Sequence, residues 1–327
     1  MDAFSIGGAW SFGFRFFMER RCLLLLVLVG IGIIIPLGLQ FALLGEVIGT
    51  SGPFSGRGQA AVAARPLAGI VQLVSYFLQL FSYFTAWRLG FAAEQRWPAA
   101  FLFGLLAALL ASGVFAILGV PALFAIGASF ASGIPFLGLL VGLIVLMLVF
   151  AIFYTVPAAF FATLAAIVLI LSMLFGAATG NVGMAATLLG GGSGAVVVLF
   201  LVLSVILLWV ATRLSCTCAV MADRKSYNLV AAMRESWRLT LEDQWPILRY
   251  LLLIAGAMTL FVALISLAAG AGAMALLEGE GFAAARPVVG LAFGLIFGIP
   301  FALLSVLVPA GIYRDLTRSA LAAEVFA

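Results

Sequence analysis

Long apolar runs separated by short charged turns set the pattern of this chain. A run of about twenty apolar residues is long enough to cross a bilayer as a helix. Taken in order, the pattern predicts spans at Cys22–Leu44, Leu67–Trp87, Pro98–Val120, Phe136–Tyr154, Pro157–Phe175, Ala195–Thr212, Pro246–Gly270 and Pro287–Tyr313. Only Tyr154-Thr155-Val156-Pro157 divides the fourth from the fifth, so a single broken helix or a re-entrant pair is the alternative there. Glu46–Pro66, Pro121–Pro135, Gly176–Gly194 and Glu278–Arg286 read as connections, being rich in Gly, Ser and other small residues or carrying charge. Pro98 and Pro246 open spans, where the missing N–H would be unpaired anyway, and Pro36 is expected to kink the first. The runs are continuous and do not alternate, which excludes an outer-membrane barrel. The fold class expected is therefore all-α, a polytopic transmembrane helical bundle of about eight spans forming a single integral membrane domain over 1–327.

Two stretches keep helical periodicity but mix apolar with charged residues. In Ser5–Arg21, Ile6, Trp10, Phe14 and Phe17 form a stripe, with Arg15 and Glu19 placed to pair on the other side. In the charged stretch Arg213–Tyr250, Leu229, Val230, Met233, Trp237 and Leu241 face one way, and Asn228, Arg234, Glu235, Arg238 and Glu242 the other. Each stretch feeds directly into a span, as expected for an amphipathic helix lying in the headgroup plane. Laying Phe4 on Tyr227 brings Ala9 onto Ala232, Phe14 onto Trp237, Arg15 onto Arg238 and Glu19 onto Glu242. The returning spans also end alike, Ala86-Trp87-Arg88 against Ile312-Tyr313-Arg314. These matches predict a parallel internal repeat, with halves 4–94 and 227–320 around a central helical segment 98–212.

Composition adds to the picture in three ways. Hydrophobic residues make up 66% of the chain and charged ones 9%, against about a quarter charged in a soluble domain. The net charge of +4 does not indicate nucleic-acid binding, because the basic residues flank spans. With both termini cytoplasmic, thirteen of the sixteen basic residues fall inside and only Arg57, Arg65 and Arg286 outside, the bias of the positive-inside rule. There is no histidine, which removes histidine ligation and histidine acid–base chemistry. Met1–Arg21 carries Asp2 and Glu19 and no small-residue cleavage site, so it is expected to be retained rather than removed as a signal peptide.

The segments Val220-Met221-Ala222-Asp223-Arg224 and Ala231-Ala232-Met233-Arg234-Glu235-Ser236-Trp237-Arg238-Leu239-Thr240, with Phe4-Ser5-Ile6-Gly7-Gly8-Ala9-Trp10-Ser11 and the terminal Tyr313-Arg314-Asp315-Leu316, carry a resemblance. The chain resembles the membrane-domain family attached to some bacterial glycerophosphodiester phosphodiesterases, and is similar to YciC-type inner-membrane proteins. The resemblance implies a stand-alone multi-pass protein of the bacterial inner (plasma) membrane. It does not imply phosphodiesterase activity, which belongs to a soluble barrel domain with histidines and metal-binding carboxylates.

No nucleophile–base pair, phosphate loop or paired carboxylate stands out, so no catalytic residue, cofactor or metal is assigned and the chain is not read as an enzyme. Cys22 and the pair Cys216-Thr217-Cys218 make a poor zinc pattern and suit small apolar positions. Trp10, Arg15, Arg234, Trp237 and Arg238 are the candidates for meeting anionic headgroups. Gln72, Ser75, Gln79 and Ser82 share one face of the second span and could line a polar path, or hydrogen-bond to a neighbouring helix. The expected function is a non-catalytic scaffold or envelope/lipid-homeostasis factor. Its expected partners are membrane lipids and another membrane protein or a second copy of itself. The alternative is a transporter or lipid-translocating protein using the polar path. That reading is weakened by the lack of any carboxylate at the centre of a span.

Overall fold

The computed structural model describes residues 4–50, 65–91, 97–119, 121–122, 142, 144–145, 148–149, 151–178, 194–276 and 281–326. Among them the only regular structure is helical. Helix α1 is Ile6–Glu19. After a turn at Arg20, α2 runs over 21–50, and α3 is Arg65–Phe91. Helix α4 is Trp97–Val114 and ends in a π turn, Phe115–Gly119. Next come α5 (Thr155–Ala178), α6 (Gly194–Leu214), α7 (Thr217–Arg224), α8 (Leu229–Leu239), α9 (Gln244–Leu276) and α10 (Gly281–Phe326).

Among the described residues, six segments are long and apolar enough to cross a membrane: Arg21–Ala42, Ile70–Phe91, Trp97–Gly119, Val202–Arg224, Gln244–Ile265 and Gly294–Arg318. They correspond to the first, second, third, sixth, seventh and eighth expected spans, and the chain is a multi-pass helical membrane protein. The fifth expected span, Pro157–Phe175, lies wholly within α5, which is helical from Thr155 to Ala178. Most of the fourth, and most of the connections 46–66, 121–135 and 176–194, lie outside the described residues. The helix breaks at Tyr154, the expected boundary between the fourth and fifth spans.

Several boundaries need correction. Helix α2 continues through Glu46 to Thr50, and α10 already begins at Gly281, so parts of two expected loops are helical. Charge and glycine mark a polar position, but neither forces a helix to stop once its backbone is paired. The expected kink at Pro36 takes the form of a widened turn. Leu26–Ile34 is π-helical, and the N–H of Ile35 bonds to the carbonyl of Gly30, five residues back. Widening the turn ahead of the ring relieves the clash a proline makes with the carbonyl four residues earlier.

The core is concentrated at one end of the bundle, the end bearing Arg88, Arg213 and Arg314, here called the basic end. The whole run Ala211–Ala222 is buried there, as are Ser82–Leu89 and Val308–Tyr313. Helix α3 packs on α2 and α4, α5 packs on α6 and α9, and α7 lies against α3, α8 and α10.

Helix α1 does not sit apart from the bundle. It runs antiparallel along α10, with Ala9, Gly13 and Phe16 as its buried face. A β-carbon at Gly13 would come within 2.9 Å of the Leu307 carbonyl oxygen, and one at Gly311 would collide with the Ala9 carbonyl. Two carboxylates hold its start: the Phe4 N–H donates to Asp243 at 3.1 Å and the Ser5 N–H to Asp315 at 2.9 Å. Negative charge is favoured at the positive end of a helix. Ile6, Trp10 and Phe14 of the expected stripe point outward instead. The Arg15–Glu19 pair does not form: Arg15 lies over the Phe12 ring at 6.0 Å, and among the described residues the ion pair is Arg224–Glu235. Because α1 docks through backbone contact, Gly311→Val should force it off α10 and cost ~1–3 kcal/mol. Thermal unfolding of the detergent-purified protein should show a lowered midpoint, whereas Gly7→Ala, where only Ser5 lies within 4 Å, should leave it unchanged or slightly raised.

Candidate functional site

Helix α7 is short, lies at the basic end and is buried from its first residue to Ala222, only its last two residues reaching outward. The first and last turns of any helix leave backbone groups without intrahelical partners, and these must be satisfied when buried. At the C-terminal end the Arg88 guanidinium donates from Nη1 to the carbonyls of Ala222 (2.6 Å) and Asp223 (3.1 Å). A buried cation is well placed there because the helix dipole is negative. The Asp223 carboxylate accepts from the Tyr313 hydroxyl at 2.8 Å, which joins α7 to α10. Lys225 then turns the chain out with a left-handed backbone, φ 52°.

At the other end the chain breaks between α6 and α7 at Ser215-Cys216. Two hydroxyls from α8 cover the break. The Ser236 hydroxyl donates to the Arg213 carbonyl at 2.8 Å and accepts from the Cys216 N–H at 3.2 Å. The Thr240 hydroxyl also reaches the Arg213 carbonyl, at 3.3 Å. This explains the Ala-x-x-x-Ser-Trp spacing of the α8 sequence. Ala232 and Ser236, one turn apart, face the α6–α7 break, and Trp237 falls beside it. Helix α8 begins at Asn228, whose side chain accepts from the Ala231 N–H at 3.0 Å. In α1, Ser5 accepts from the Gly8 N–H at 3.1 Å, at the offset that lays Phe4 on Tyr227.

The expected faces of α8 are corrected accordingly. Leu229 and Met233 pack on the core, while Val230 and Leu241 are exposed and Trp237 is 38% exposed. Arg234 and Arg238 are exposed, and Glu235 is half-buried in its 2.8 Å pair with Arg224. Both α1 and α8 thus present three faces: small residues toward protein, aromatic and aliphatic residues outward, and arginine beside those. Trp10 is 50% exposed and Arg15 is exposed. Helix α1 docks beside the start of α9 through Asp243 on Phe4, and α8 leads into α9 along the chain. The five candidate headgroup residues are therefore brought to one end of the bundle but not into one cluster.

Of the six tryptophans, Trp10, Trp97, Trp209, Trp237 and Trp245 are exposed and border the basic end by their place on the helices; only Trp87 is buried. The Trp87 indole N–H donates to the Val306 carbonyl at 2.9 Å. An open groove of about 420 Å³ runs between α1, α9 and α10, lined by Ile6, Trp10, Tyr250, Leu253, Met258 and Phe261 among others.

The polar stripe on α3 packs on α2. Gln40 of α2 donates to the Ser75 hydroxyl at 3.4 Å, and Gly32 lies directly against Ser82. Ser75 and Ser82 also bond within α3, to the carbonyls of Val71 and Gln79. Gln79 is half-buried and Gln72 exposed. The cavity of about 240 Å³ beside α3 is lined by another face, including Leu73, Tyr76, Phe77 and Leu80. Cys216 and Cys218 are buried in packing, with the Cys218 thiol on the Ile152 carbonyl at 3.3 Å, and Cys22 is exposed. Among the described residues no three acidic, cysteine or histidine side chains gather as a metal site.

Sequence reasoning counted Arg88 and Arg213 only as flanking charges. The available signal for Arg213 was Trp209, one helical turn before it. Arg213 is 5% exposed and lies beside two indoles, 5.6 Å from the Trp209 ring and 5.2 Å from the Trp237 ring. Comparison with protein families, with curated proteins and with solved structures finds no match to this chain. The resemblance drawn from the α7–α8 sequence, Phe4–Ser11 and Tyr313–Leu316 therefore stands on those residues alone.

Two substitutions test the account of α7. Ser236→Ala leaves the Cys216 N–H without its acceptor, and Arg88→Leu strips the last α7 carbonyls of a charged donor. Each should destabilise by ~1–3 kcal/mol, read as a lowered unfolding midpoint in detergent. A Ser236→Ala midpoint equal to wild type would show that the break is not held from α8.

Proposed function

We propose that this chain is a non-catalytic integral membrane protein that gathers anionic lipid at its basic end, acting as a scaffold or lipid-homeostasis factor. The observation that carries this reading is the arrangement on α1 and α8. Each helix is fixed to the bundle by small residues and turns an aromatic edge outward, Trp10 and Phe14 on one and Trp237 on the other, with Arg15, Arg234 and Arg238 exposed beside it. Aromatic residues favour the boundary between headgroups and acyl chains, and arginines next to them attract anionic headgroups at about 1 kcal/mol each. The apolar groove beside Trp10 suits an acyl chain entering from the side.

The positive-inside bias supports a cytoplasmic basic end, with both termini on that side if about eight spans are present. The resemblance to YciC-type proteins supports a bacterial inner membrane. The shared N-cap register of α1 and α8 supports the internal repeat. The packing of Ser75 and Ser82 on α2 favours the hydrogen-bonding role of that stripe over a transport path.

The test is native mass spectrometry of the protein extracted gently from a membrane containing phosphatidylglycerol. Arg15→Gln, Arg234→Gln and Arg238→Gln combined should reduce the number of anionic lipids retained by at least half, and the loss should shrink at high salt. Lipid retention by the triple variant equal to wild type would overturn the reading.

A further inference from the structure

We infer that the Arg213 guanidinium, enclosed by Trp209, Trp237 and Gln244, is a binding site for a single phosphate group, supplied by the headgroup of an anionic phospholipid. The inference deepens the proposed function and rests on it: it replaces a diffuse attraction at the surface with one defined position. Its starting point is an imbalance of charge. Arg213 is 5% exposed, yet no carboxylate pairs with it among the described residues. Its Nη2 donates to the Gln244 side-chain oxygen at 2.8 Å, while Nε and Nη1 are buried with no acceptor. The contrast with Arg88 is informative, since that buried guanidinium is met by two carbonyls at the end of α7. A buried cation with unmet donors is costly, and an anion reaching those donors removes that cost.

The surroundings suit phosphate. The two indoles, with ring centroids 5.2 Å apart at 87°, meet edge to face and border the guanidinium, giving it aromatic walls but no acceptor. The planar guanidinium fork matches phosphate oxygens better than an ammonium would. The cage is itself held in place. Ser236 and Thr240 bond to the carbonyl of Arg213, which fixes α8 and therefore Trp237 over the guanidinium. Trp209 and Trp237 are 40% and 38% exposed, so they form the outer wall, and a headgroup enters by displacing an indole edge. In a multi-pass protein the phosphate available beside exposed tryptophans is that of the lipid headgroup layer.

The experiment titrates the purified full-length protein in neutral detergent with short-chain phosphatidylglycerol, phosphatidylcholine of the same chains, and inorganic phosphate. Binding is read by tryptophan fluorescence and by native mass spectrometry. Wild type should take up one phosphatidylglycerol saturably, with a weaker response to phosphatidylcholine. Arg213→Gln should weaken that binding about tenfold or more, and Arg213→Lys should restore only part of it. The Arg15/Arg234/Arg238→Gln triple should keep the saturable lipid while losing the weaker ones. A response to inorganic phosphate that depends on Arg213, without one to phosphatidylglycerol, would uphold the phosphate site and overturn its lipid source.

A folded Arg213→Gln that binds like wild type overturns the site and leaves the broader lipid reading standing. If neither Arg213→Gln nor the triple changes lipid uptake, both fail. Should Arg213→Gln not fold, Trp237→Leu tests the same cage without touching the hydrogen bonds that hold α8. Wild-type affinity in Trp237→Leu would overturn the proposal.

Discussion

The packing of the basic end depends on how a buried helix end is satisfied. Helix α7 is only two turns long, and burying it exposes unpaired carbonyls to an apolar interior. Arg88, from the end of α3, supplies charged donors at the point where those carbonyls gather. Asp223, the next-to-last residue of α7, then holds Tyr313 of α10. One short helix therefore draws the end of α3 to the body of α10. Its other end is closed by α8, through hydroxyls on the Arg213 carbonyl and the Cys216 N–H. Removing any one partner leaves a buried polar group whose desolvation is uncompensated, so the arrangement is cooperative in the sense of a network rather than a sum of pairs.

Much of the bundle could be read from the sequence because lipid imposes a simple rule: a chain that crosses it must be apolar for about twenty residues and pair its own backbone. Runs such as Cys22–Leu44 and Pro246–Gly270 obey that rule with little ambiguity. The same rule says nothing about where a helix stops once it leaves the apolar layer, which is why α2 continues through Glu46 and α10 begins before Arg286. It is also blind to contacts made by small residues. Gly13 and Gly311 carry no hydropathy signal, yet their close approach decides which side of α1 faces the bundle and turns Trp10 and Phe14 outward.

The residues at the core of the candidate site were the hardest to foresee. Arg213 and Arg88 look alike as single arginines at the ends of apolar runs. What separates them is the partner that another helix brings. Arg88 meets the negative end of α7, and Arg213 meets two indoles and one amide. Neither environment is local in sequence, since Ala222 lies far beyond Arg88 and Trp237 beyond the α7 turn. Positive charge near a span end is ordinarily a matter of topology. Its burial is what gives it a second meaning, and burial is a property of tertiary packing.

On the repeat reading, α1 and α8 differ where their docking partners differ. Both start on a side-chain cap, Ser5 or Asn228, and both place a buried alanine, Ala9 or Ala232, four residues on. One turn later α1 has Gly13 and α8 has Ser236. Helix α1 lies on α10, which is continuous there, so the closest approach asks only for the absence of a side chain. Helix α8 lies on the break between α6 and α7, where a free carbonyl and a free N–H need a partner, and a hydroxyl at that position supplies both bonds. Glycine at 236 would leave the break unsatisfied, and serine at 13 would push α1 off α10. The two positions follow from whether the helix beneath is whole or broken, and only the broken one carries a tryptophan cage around a buried arginine.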